Sequence, residues 1–148
     1  MADLLAGTTI LAQDFPPTAH AEDNSAQSNI TSTSYAAGSP EVGTTFTAPT
    51  TGRVEVTVFG LLRGDGTFQV YLSSEVYEGS DSTGTLVAST SDLYAAREES
   101  SAQSTHVVTR PVTGLTPGAT HYVRLMHRVQ GGTTNDVLLR TVTVDPKS

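Results

Sequence analysis

Arg53-Val54-Glu55-Val56-Thr57-Val58-Phe59-Gly60-Leu61-Leu62 begins with strict alternation, placing Val54, Val56 and Val58 on one side and Glu55 and Thr57 on the other. A period of two is the mark of a strand with one buried face. The pattern returns from Thr67 to Tyr77, where Phe68, Val70, Leu72 and Val76 oppose Gln69, Ser73 and Glu75, so Arg63-Gly64-Asp65-Gly66 is expected to close a hairpin. Outward from this pair, further strands are expected at Thr44–Ala48, Thr85–Ser89, His106–Thr113, Thr120–Val129 and Val137–Val144, parted by Gly-rich or Pro-Gly turns. Asp92 to Gln103 breaks the alternation and reads as a loop, with Ser91 placed to cap a helical turn.

Composition agrees with the pattern. The 148 residues suit one domain and include 24 Thr, 15 Ser, 13 Gly and 7 Pro, a mixture of strand and turn formers. Short strands at regular spacing predict an all-β fold, an antiparallel β-sandwich of jelly-roll type, because an open sheet of this size would expose edges and a face. Its core is expected from Val54, Val56, Val58, Phe68, Val70, Leu72, Val123 and Leu125.

Charge is distributed unevenly. No Lys or Arg precedes Arg53, and the first 40 residues are mostly small and polar, with Phe15-Pro16-Pro17 favouring extended backbone. Residues 1–40 are therefore expected to form an extended N-terminal arm and residues 41–148 the sandwich. Leu4, Leu5, Ile10, Leu11 and Phe15 are the arm's candidate anchors to a partner. At the other end Val137, Leu138 and Leu139 are apolar in succession, on both faces of one strand, so this strand is expected to be either central or at a subunit contact, with these three residues as the interface candidates.

Several chemistries are disfavoured. A net charge of −7 argues against binding a phosphate backbone, no apolar run is long enough to span a bilayer, and the absence of cysteine removes thiolate chemistry. Neither a nucleophile elbow nor a phosphate or dinucleotide loop occurs, so no catalytic residue, cofactor or metal is expected. His121 and His127 share one strand face six residues apart, too far for one ion, and read as rim histidines. The acids around Gly79–Gly84, with Glu75 and Glu78, do not have calcium-loop spacing. Arg63-Gly64-Asp65 reads as turn chemistry rather than an adhesion motif. Tyr71 and Tyr77 on one strand leave a glycan-binding face as the rival reading.

Thr45-Phe46-Thr47-Ala48-Pro49-Thr50-Thr51-Gly52-Arg53-Val54 resembles the strand-turn-strand of trimeric jelly rolls of the C1q and tumour-necrosis-factor type. More broadly, Ala6-Gly7-Thr8-Thr9, Asp14-Phe15-Pro16-Pro17, Asn29-Ile30-Thr31 and Gly114-Leu115-Thr116-Pro117-Gly118-Ala119-Thr120 resemble small virion structural proteins of tailed phages of actinobacteria. The resemblance implies a non-enzymatic virion component made in the bacterial cytoplasm. It implies a homotrimeric capsid decoration protein on the outer shell, bound to the major capsid protein through the arm, with a tail or fibre component as the alternative.

Overall fold

The computed structural model describes residues 15–148. Its strands are β1 (Ala19–Asp23), β2 (Gln27–Ile30), β3 (Ala36–Ala37), β4 (Gly43–Thr47), β5 (Val54–Arg63), β6 (Val70–Glu78), β7 (Leu86–Ala88), β8 (Ala96–Glu98), β9 (Ser104–Val112), β10 (Thr120–Val129) and β11 (Asn135–Pro146). They form two antiparallel sheets. The first runs β1-β11-β5-β9, with β2 beside β1 along β11; the second runs β3-β10-β6-β7, with β4 also on β10 and β8 on β6. The fold is the expected all-β sandwich.

Alternation explains the packing. Val54, Val56, Val58, Val142 and Val144 of the first sheet meet Val70, Leu72, Val76, Val123, Leu125 and Val129 of the second, each at most 1% exposed. At Gly52 (φ +64°) the backbone turns tightly into β5, and a Cβ there would come within 2.6 Å of Leu115 O.

Four expectations are corrected. Arg63-Gly64-Asp65-Gly66 does not close a hairpin, because β5 and β6 lie in different sheets and the turn carries the chain between them. Its amides at Gly64 and Gly66 donate to Ser100 O and Glu99 O instead, at 2.9 and 2.8 Å. Phe68 is not in the core: Asp65 Oδ1 takes the amides of Thr67 and Phe68 into the turn, β6 starts only at Val70, and the ring is 39% exposed. His121 and His127 are not at a solvent rim but buried on the inward face of β10, His121 stacking on Phe46 at 5.6 Å between ring centroids.

The last correction concerns residue 40. The described part of the supposed arm is woven into the sandwich: β1 and β2 pair with β11, β3 pairs with β10, and Ile30 is a core residue. Polar composition misled here because these strands are edge strands, which need few apolar side chains.

Candidate functional site

The two candidate interface regions come out differently. Leu4, Leu5, Ile10 and Leu11 lie outside the described residues. Phe15 is 65% exposed and, with Pro16, Thr18, Pro49, Pro146, Lys147 and Ser148, lines a shallow depression at one pole of the sandwich. In β11, the pairing with β5 shifts register between Val137 and Leu139, a bulge at Leu138 that explains three apolar residues in a row. Val137 is fully buried in the core of its own chain and is corrected as an interface residue; Leu138 and Leu139 are half-buried.

The bulge also sets the direction of the residues after it. With the phase moved on by one, Arg140, Val142 and Val144 point inward, and Arg140 is buried to 1% exposure. Its Nη2 donates to Asp23 Oδ1 at 2.7 Å, while Nε and Nη1 have no partner among the described residues. Gly38 packs so closely on the guanidinium that a Cβ would fall 1.8 Å from Nη1. His127, facing this end of the interior from β10, has an Nδ1 without a partner among the described residues, and burial followed by the Arg140 charge lowers its pKa. Sequence reading missed this cluster, since an inward arginine is visible only once the bulge has been placed.

The outer face of the second sheet carries most of the remaining polar chemistry. Tyr122, Arg124 and Arg128 alternate along β10 opposite Tyr71, Glu75 and Tyr77 of β6. Arg124 donates to Glu75 at 3.0 Å, to Glu41 at 2.9 Å and to Tyr77 Oη at 3.2 Å. Tyr122 Oη donates to Glu41, and its pKa is pushed up to about 12 by burial and then by that carboxylate. Arg128 pairs with Asp92 and sits 4.3 Å over the Tyr71 ring, while Tyr35 Oη donates to Asp92 at 2.8 Å. Tyr71 and Tyr77 are therefore buried beneath guanidinium groups at 6% and 8% exposure, which withdraws the rings on which a glycan face would rest.

The other motifs are also engaged within the fold. Arg63 is ion-paired with Asp136, and Asp65 holds turn amides, so neither charge of the Arg-Gly-Asp triplet stands ready for a receptor. Asp81 closes its own loop by accepting from Thr83 N at 2.8 Å, and Glu75 is held by Arg124 and Tyr77. His106 Nε2 faces Glu98 Oε2 at 2.8 Å, and that contact leads the interactions that bring the Glu98 pKa down to about 2. Among the described residues no three His, Asp or Glu side chains converge as metal ligands, and no helix is long and apolar enough to cross a membrane.

No family model and no curated protein matches the chain in sequence. Solved structures do match in shape. Over 99% of its length the chain is similar to the T13 viral particle of infectious bursal disease virus, at 12% identity and TM-score 0.51, and to the VP2 subviral particle of the same virus, at 12% identity and TM-score 0.50. The likeness is one of fold. The chain spans 35% and 37% of those two chains, about a third of their length. It is also similar, over 89% of its length and 99% of the other chain, to the CBM36-1 domain of a multidomain xylanase from the hindgut metagenome of Trinervitermes trinervoides, at 8% identity and TM-score 0.49. Its structural neighbours thus include protein chains of viral particles.

Proposed function

We propose that the protein is a non-enzymatic structural component of a bacteriophage virion, a decoration protein seated on the major capsid protein at the outer surface of the shell. The observation that supports this reading best is the overlay of nearly the whole chain on a capsid-protein sandwich. The internal engagement of its charged and aromatic groups fits a scaffold better than a reaction centre. In this reading the residues ahead of β1, with Leu4, Leu5, Ile10, Leu11 and Phe15 as anchors, contact the shell, and the copies stand as homotrimers synthesised in the host bacterial cytoplasm. Multiplicity suits such attachment, because many weak contacts under symmetry make firm binding without an exceptional single interface.

Electron microscopy of purified particles carrying a labelled copy tests the proposal. Label distributed over the head supports decoration. Label confined to the tail replaces it with the tail or fibre role, and absence from both defeats the virion role.

A further inference from the structure

Two sheet edges face one another without pairing. Among the described residues β1 is bonded only to β11 and β4 only to β10, and beside them runs a groove of about 340 Å³ lined by Pro17, Thr18, Ala19, Thr44, Thr45, Phe46, Thr47 and Thr120. On β4, Val42 O accepts from Leu125 N at 2.8 Å and Ala48 N donates to Ala119 O at 3.0 Å. Counting by twos, the backbones of Val42, Thr44, Phe46 and Ala48 turn toward β10, and those of Gly43, Thr45 and Thr47 turn into the groove. An edge of this kind is a template for one more strand.

The sequence contains a segment written like the strand it would join. Gly7-Thr8-Thr9-Ile10-Leu11-Ala12 repeats Gly43-Thr44-Thr45-Phe46-Thr47-Ala48 with the same residue at four of six positions and an apolar residue where Phe46 stands. The turn Gly132-Thr133-Thr134 shares only the opening triplet and continues with Asn135. In β4, Phe46 points inward at 6% exposure and Thr45 is exposed. A segment with the same alternation would turn Ile10 toward the sandwich and Leu11 away from it.

We propose that Gly7–Ala12 of one copy adds as a strand to the β4 edge of a second copy, lying along the groove beside that copy's β1. The chain enters the described fold at Phe15, beside this groove, so only Gln13 and Asp14 separate the segment from the pole where the groove lies. Insertion into its own groove would require the chain to reverse there. Pro16 and Pro17 fix φ near −65°, and a proline holds the residue before it extended, which opposes that reversal and favours a neighbour. Three residue steps from Phe15 to Ala12 reach about 10 Å when extended, so the receiving groove belongs to a copy whose β4 edge stands beside this pole. The threonine-rich lining gives Thr8 and Thr9 cross-strand hydroxyl partners. The inference concerns contacts between copies of this chain and holds whether the assembly sits on a head, on a tail or on no particle.

The natural absence of cysteine makes the test clean. Full-length Thr9→Cys carrying a heavy isotope is mixed with light chains bearing Gly43→Cys, Thr45→Cys or Thr47→Cys in turn, then oxidised, and the cross-links are mapped by mass spectrometry. The three positions cover the register. Gly43 is the least tolerant of them, since Tyr122 Oη lies 2.2 Å from its would-be Cβ, so Thr45 and Thr47 carry the decision. Heavy–light cross-links well above those to a Thr57→Cys control on the outer face of the other sheet are expected. The proposal is overturned by cross-links no more frequent than the control, or by heavy–heavy and light–light links within single chains of a Thr9→Cys/Thr45→Cys double variant. Ile10→Asp in the full chain adds a second reading: mass by light scattering should fall to that of the monomer with the melting temperature of the sandwich unchanged. An unchanged oligomer mass also overturns the proposal.

Discussion

Asp23 and Arg140 are direct cross-strand partners between β1 and β11, and among the described residues the carboxylate of the first is the one acid bonded to the buried guanidinium of the second. An arginine between two sheets is costly to desolvate and tolerable only while it is paired. The ion pair thus makes residues ahead of Gln27 part of what holds the sandwich closed.

Asp23→Ala is accordingly expected to destabilise more than the loss of a half-exposed acid elsewhere, because it strands a buried positive charge. Asp23→Ala combined with Arg140→Met should recover much of the loss. Urea melts of the single and double variants check this, and a double variant no better than Asp23→Ala would show that Asp23 acts otherwise.

Truncation should divide sharply. Removing residues 1–14 leaves the eleven strands of the described residues in place and should preserve a cooperative melt. Removing residues 1–39 deletes β1, β2 and β3, bares the outer edge of β11 and leaves Arg140 unpaired, so the product should fail to fold. Circular dichroism with thermal melting distinguishes the two.

Acid should weaken the fold in two windows. His127 has a native pKa held below its ordinary 6.5, by burial first and Arg140 second, so its contribution is intact above that value and is lost as pH falls below it, when the unfolded chain takes up the proton more readily. Glu98, lowered from 4.5 to about 2, contributes fully above 4.5 and loses that contribution between there and about 2. His127→Gln should flatten the upper window of the stability profile and leave the lower one; urea midpoints from pH 8 to pH 3 measure both.

Core and face should respond differently to truncated side chains. Leu72→Ala, at a fully buried inward position, is expected to cost about 2–5 kcal/mol. Arg124→Met removes the cation shared by Glu75, Glu41 and Tyr77 and is expected to cost about 1–3 kcal/mol, with Glu75 left mostly covered. Chemical denaturation of both variants provides the values, and an Arg124→Met chain as stable as the parent would mean that the network stores little energy.

Most strand positions from β4 onward were legible because period-two alternation is imposed by the pleat itself; the exception is β8, three residues long, which lies inside the stretch read as a loop. Thr120–Val129 is β10 to the residue, and the inward valines of β5 are core. Sheet membership was less legible, since a glycine turn between two alternating runs looks the same whether it closes a hairpin or bridges two sheets, as Arg63–Gly66 does. Edge strands escaped notice for the opposite reason: β1 and β2 are held by backbone bonds that side chains do not announce. At the candidate sites, Leu138 shows the same limit. A single bulge changes which neighbours face inward, and it turned an apparent contact surface into part of the core and an unremarked arginine into a buried charge.

Phe15 and the final residue, Ser148, border the same depression, so the first and last described residues leave the domain side by side. The turns at Arg63–Gly66 and Gln130–Thr134 lie at the far ends of β5 and β10 from that point. A cargo fused after Ser148 would be held at the pole where Phe15 enters the fold, whereas a guest peptide spliced between Gln130 and Asn135 would be held out at the opposite pole. The same adjacency lets a short linker join Ser148 to Phe15 and new ends be opened in that distant turn, so the order in which the strands are synthesised can be rewritten without moving them in space.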